Sequence, residues 1–183
     1  MNIQNYIKLF SNIYILEKDE ILGDVNLKKC VKKLESIKSL RKLSSSIDVI
    51  YIGHFDDLIE KGVTAAFSDG CIYVSNDCPD DETFVTEVVH EIGHATEKEY
   101  VDFIYDDRQI EKEFLTKRQI LKQDLESQGY SVPSNFLSQL NYDVNIDKFL
   151  FQDVGYDQIW PLMNGVFLNP YSSTCVREYW CSC

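Results

Sequence analysis

No run of about 18 consecutive apolar residues, the length a membrane-spanning helix needs, occurs in the 183-residue chain, so a helical span is excluded and a soluble protein is expected. Positive charge is scarce. Eighteen Lys and Arg stand against thirty Asp and Glu, a formal charge of −12, which leaves no cationic surface to neutralise many phosphates or dock on an anionic membrane. Nucleic acid is not an expected partner. The opening stretch, MNIQNYIKLFSNIYILEKDE, is broken by Asn, Gln and Lys8 and is followed by no small-residue cleavage site. No secretory signal peptide is expected; the cytoplasm is the default compartment, with signal-independent export left open. The six cysteines (Cys30, Cys71, Cys78, Cys175, Cys181 and Cys183) are too few and too uneven for a disulfide-built scaffold, so free thiols are the default. Internal repeats, low-complexity tracts and Ser/Gly linkers are lacking as well. With 44% hydrophobic and 26% charged residues, the composition predicts one globular domain over 1–183 with a sizeable core.

From Asp24 to Leu43, apolar residues fall at Leu27, Cys30, Val31, Leu34, Ile37, Leu40 and Leu43, the three-and-four spacing of a docked amphipathic helix. Ile47–Ile52 is short and β-branched, and Cys71–Ser75 follows an Asp69-Gly70 turn signal, so both read as strands of one sheet. Pro79, Asp80, Asp81 and Glu82 suit a helix's first turn and predict a helix running to about Glu99. A further helix is predicted from Asp106 or Asp107 to Ser127, with Ile110, Phe114, Leu121 and Leu125 inward and Gly129 beyond its end. After it come loops and short helices, then a last helical segment from about Thr174. The fold class that follows is α+β, helices packed on a small sheet.

The strongest chemical signal is His90-Glu91-Ile92-Gly93-His94 inside the predicted helix. At about 100° per residue, two positions four apart lie roughly 40° from each other, so both imidazoles can reach one ion. Glu87, His90, Glu91, His94 and Lys98 form one stripe, and Phe84, Val85, Val88, Ile92 and Ala95 the opposing apolar one. Zinc takes neutral imidazole readily, and a catalytic zinc keeps three protein ligands and a water that a carboxylate at Glu91 is placed to deprotonate. Of the three histidines in the chain, two are in this pentapeptide; His54, ending a strand before Asp56 and Asp57, reads as a surface group.

For the third ligand, metzincin spacing would put Gly and His three and six residues after His94, but Glu97 and Tyr100 stand there, so that class is excluded. Two carboxylates are open. Glu113 lies nineteen residues after His94, a spacing many zinc peptidases use, although its setting IEKEFLT looks like an ordinary charged helix face. Glu178 stands in NPYSSTCVREYW, seven residues after Tyr171. Here the sequence resembles the anthrax lethal factor catalytic domain and the related clostridial Pro-Pro endopeptidases. That family has an edge strand, then the histidine-glutamate-x-x-histidine helix, a long insert, and a tyrosine seven residues ahead of the glutamate that completes the zinc site. The resemblance covers about Thr64 to the end; residues 1–60 contribute nothing to it. It implies a zincin-like domain in which His90, His94 and Glu178 bind zinc, Glu91 is the general base and Tyr171 assists at the oxyanion or leaving group. It also implies a truncated C-terminus, because relatives continue beyond the point five residues after Glu178 where this chain stops.

The strand Cys71, Ile72, Tyr73, Val74, Ser75 has two open readings: the edge strand beside the zinc helix, offering its backbone to substrate, or an ordinary internal strand. Cys175 and Cys181, three residues either side of Glu178, could compete for the metal, although packing of a helix is the commoner role. Together these expectations describe an endopeptidase with one zinc ion per chain, acting on a peptide or protein through a zinc-bound water with Glu91 as base. The alternatives are a non-catalytic zinc-stabilised binding module, a peptidase using Glu113, and a helical protein without metal.

Overall fold

A computed structural model describes residues 6–182, of residue 61 the backbone only. Residues 1–5 and Cys183 lie outside it, and with them the expectation of a free thiol at Cys183. The chain divides into two compact units, Met1–Glu99 and Tyr100–Cys183.

The first unit is built on a five-stranded mixed sheet. Strand β1 (Tyr6–Leu9) turns back as β2 (Ile13–Glu17); helices α1 (Leu27–Ser36) and α2 (Leu40–Leu43) precede β3 (Val49–Gly53), and α3 (Asp56–Lys61) precedes the hairpin β4 (Ala65–Ser68) and β5 (Cys71–Ser75). The sheet order is β1-β2-β3-β5-β4, with β2, β3 and β5 mutually parallel and both edge strands antiparallel to their neighbours. Alternation places Ile13, Ile15, Ile50, Ile52, Ile72 and Val74 on one face, where they form a core with Leu27, Cys30, Val31 and Leu34 of α1. The α+β class and the shared sheet of the two foreseen strands are present in the structure.

The helix expected over Asp24–Leu43 is in fact two. Asn26 caps α1 by accepting from the Lys29 N–H at 3.2 Å, and the helix stops at Ile37, whose backbone is extended (φ −84°, ψ 98°). The Ser36 hydroxyl donates to the Lys33 carbonyl at 2.6 Å, the local bond by which serine competes with helical pairing near a terminus. Leu40 still reaches the core, while Ile37 and Leu43 are 36% and 39% exposed.

A second correction concerns the sheet edge. Cys71, Ile72, Tyr73, Val74 and Ser75 form a strand with the expected bounds, but it is internal, paired with β3 on one side and β4 on the other. The reason is local: Asp69 and Gly70 both adopt the left-handed conformation (φ 48° and 80°), as a two-residue hairpin turn requires, and this folds Ala65–Ser68 back against β5. Both backbone edges of β5 are thereby used, and among the described residues the edge strands are β1 and β4.

Helix α4 (Asp81–Tyr105) begins one residue after Asp80, whose carboxylate accepts the Thr83 N–H at 2.8 Å. The span holds two helical stretches joined across a kink at Tyr100 (φ −118°, ψ 23°), so the stretch that carries the histidines ends at Glu99, as expected.

In the second unit, α5 (Gln109–Ser127) is followed by α6 (Val144–Lys148), a π-helical turn (Phe149–Val154), α7 (Tyr156–Leu162), a 3₁₀ turn (Tyr171–Ser173) and α8 (Val176–Cys181). Phe114, Leu121 and Leu125 of α5 pack with Phe136, Ile146, Leu150, Ile159, Val176 and Tyr179 into a core of this unit's own. Among the described residues no helix is long and apolar enough to cross a membrane.

Candidate metal centre

The histidine pair owes its geometry to how α4 is seated. Phe84, Val85, Val88, Ile92 and Ala95 are all buried in the first unit's core, which fixes the helix's rotation. Its start is tied down as well: Asp81 accepts the Asn26 N–H at 2.6 Å and pairs with Lys29 at 2.6 Å. Further along, the Thr96 hydroxyl donates to the carbonyls of Ile92 (2.8 Å) and Leu43 (3.0 Å), linking α4 to the end of α2.

On the opposite stripe the rings of His90 and His94 stand nearly perpendicular (84°) with centroids 4.8 Å apart, and their Nε2 atoms are 3.1 Å from each other. Two nitrogens on a tetrahedral zinc, each at about 2.0–2.1 Å, are separated by roughly 3.3–3.4 Å. The pair therefore fits a zinc ion with an adjustment of a few tenths of an ångström. Glu91 is only 5% exposed. Burial pushes its carboxyl above the ordinary value, opposed by the two neighbouring histidines and by a hydrogen bond from the Phe67 backbone N–H of β4.

In the second unit Glu178 lies in the first turn of α8 and is half-buried. Tyr171 opens the 3₁₀ turn before it. Burial first, then the negative charge of Glu178 and Asp147, pushes the Tyr171 phenol well above its ordinary value. Cys175 is the buried residue preceding α8, and burial raises its thiol pKa; Cys181 is buried at the helix end. The described cysteines, Cys30, Cys71, Cys78, Cys175 and Cys181, are all free thiols.

Among the described residues, the side chains able to hold a metal ion include His90, His94 and Glu97 in the first unit and Glu178 and Cys181 in the second. Glu113 is engaged elsewhere. Its carboxylate accepts the Tyr179 hydroxyl at 2.6 Å and pairs with Lys117 at 3.2 Å, which hold it below the usual carboxylate range. His54 is exposed, 3.7 Å from Asp56. Compared with known proteins, the chain matches no family model, no curated protein and no solved structure.

Proposed function

We propose that the chain is a zinc-dependent endopeptidase of the lethal-factor-like kind, with His90, His94 and Glu178 as metal ligands. The observation that carries this is the pair of imidazole nitrogens 3.1 Å apart with a buried glutamate beside them in the helix. Bound there, zinc would supply Lewis-acid polarisation of a scissile carbonyl and acidify a water toward a pKa of about 7. Glu91 takes the proton and returns it to the leaving amine; desolvation suits it to that exchange, because a base whose pKa lies nearer neutrality both accepts and gives up a proton readily. Tyr171, its phenol kept protonated by its setting, donates a hydrogen bond to the developing oxyanion. The strand offered to an extended substrate is β4, an edge strand of the sheet among the described residues, whose Phe67 N–H already meets Glu91.

A second reading, a non-catalytic zinc-stabilised module, draws on the free thiols Cys175 and Cys181 that flank Glu178, either of which as a thiolate would close the coordination sphere. One experiment separates the two. Purified protein is dialysed against a weak chelator, its zinc content is measured, and it is offered a peptide library. The peptidase predicts about one zinc per chain, cleavage lost on chelation, and zinc affinity weakened strongly by Glu178→Gln but not by Glu113→Gln. Zinc without cleavage, retained in Glu178→Gln and lost in Cys181→Ser, favours the module; folded protein without zinc overturns both.

A further inference from the structure

Between Tyr171 and Glu178 the chain is gripped by a cation to which the proposed chemistry assigns no role. Arg118, midway along α5, is 0% exposed, and its hydrogen bonds run to four backbone carbonyls. Nε donates to Ser173 (2.9 Å), Nη2 to Thr174 (2.6 Å), and Nη1 to both Phe136 (2.6 Å) and Gln139 (2.7 Å). The rings of Phe114 and Phe136 lie over the guanidinium at 4.7 and 4.6 Å from its carbon. Burial pulls its pKa down to about 10, which leaves it protonated at neutral pH.

Removing a guanidinium from water is costly, and an apolar side chain would fill the same slot at less expense in stability. What the ion does that an apolar group cannot is satisfy carbonyls. Ser173 and Thr174 end the 3₁₀ turn, and the backbone becomes extended at Cys175 (φ −159°, ψ 165°) before α8 begins. The carbonyls at this junction point to Arg118. Its other edge holds the Phe136–Gln139 turn, and Leu140, next in that turn, accepts the Val176 N–H at 2.9 Å. The junction is thus clamped on both sides, two residues after Tyr171 and four before Glu178.

We propose that Arg118 is a positioning residue for the metal centre, holding the Ser173–Thr174 junction so that Tyr171 and Glu178 project from a preformed segment; this rests on Glu178 serving as the third zinc ligand. Lysine cannot replace it, since an ammonium has three tetrahedral donors where the site uses four coplanar ones between two rings.

The test uses the full chain as Arg118→Lys, Glu178→Gln and the double variant, reading zinc Kd by chelator competition, the visible spectrum of cobalt-loaded protein, and thermal melting. Arg118→Lys is expected to fold, to bind zinc about 10–100-fold more weakly, and to alter the cobalt bands as Glu178→Gln does. In the Glu178→Gln background the same change should weaken zinc by no more than about twofold, because its effect passes through a ligand already removed. A lowered melting temperature with unchanged zinc Kd and cobalt spectrum would make Arg118 merely structural and overturn the proposal, leaving Glu178 as ligand. An unchanged Kd in Glu178→Gln, with zinc lost in His90→Ala, would overturn the third ligand and the proposal together. If Arg118→Lys does not fold, Phe136→Leu, which removes one ring from the guanidinium and keeps its carbonyl partners, is expected to show the same shifts at smaller size; unchanged zinc affinity there overturns the proposal.

Discussion

Glu91 and Tyr171 are the residues whose chemistry can be separated from metal binding. Glu91 is buried and carries a hydrogen bond from Phe67, so Glu91→Ala should keep its zinc while turnover falls by about 10²–10⁴, the usual cost of losing a general base. Zinc analysis and a peptidase assay on the same sample check this; full activity would remove Glu91 from the mechanism. Tyr171→Phe deletes one hydroxyl whose proton the surroundings retain. If that hydroxyl meets only the developing oxyanion, kcat and kcat/KM fall together, by roughly 10²–10³, with zinc content unchanged. A phenol that merely packs in its turn would lower stability and leave kcat per folded molecule alone. Arg118 shows the limit of reading residues singly: in TKRQ it looks like any solvated helix charge, and its burial depends on carbonyls 18 to 56 positions away.

Among the elements, α4 carries the most. Its amphipathic stripe and acidic first turn are local features, and the helix lies where they put it, with the apolar residues inward and the histidines on the other side. Its N-terminus also makes a pH-dependent contribution. The Lys29 ammonium and the Asn26 N–H hold Asp81 below its ordinary value of 3.8, and the Thr83 N–H does the same for Asp80. Depressed carboxylates contribute stability that is fully present above the ordinary value and lost as pH falls through the folded one. Asp81→Asn should therefore melt below wild type at neutral pH, with the gap narrowing below about pH 4; thermal melts across pH check it, and a constant gap would discount the carboxylate. The β4–β5 hairpin is the element least legible beforehand. Ala65–Ser68 is too short to announce a strand, which is why Cys71–Ser75 reads equally as an edge or an internal strand from the sequence.

At the scale of the molecule, zinc that binds only the folded chain must stabilise it by mass action, by about 2.7 kcal/mol when free zinc is 100 times Kd. Chelation should lower the melting temperature, and His90→Ala should abolish the difference; equal melting with and without zinc would deny a native metal site. Neighbours along the chain suffice to specify the spacing of His90, Glu91 and His94, the inward faces of α1, α4 and α5, and the bounds of Cys71–Ser75. Those follow from the 3.6-residue and two-residue periods, which need no knowledge of the partner. The three-dimensional arrangement alone reveals that β5 is internal, that the first helix breaks at Ile37, and that Arg118 donates to the carbonyls of the junction before α8. The first two turn on a two-residue turn and a serine hydroxyl bonded three residues back, and the third on carbonyls 18 to 56 positions away; a single turn, a single local bond and a distant carbonyl alike leave no periodic trace in the residues that take part.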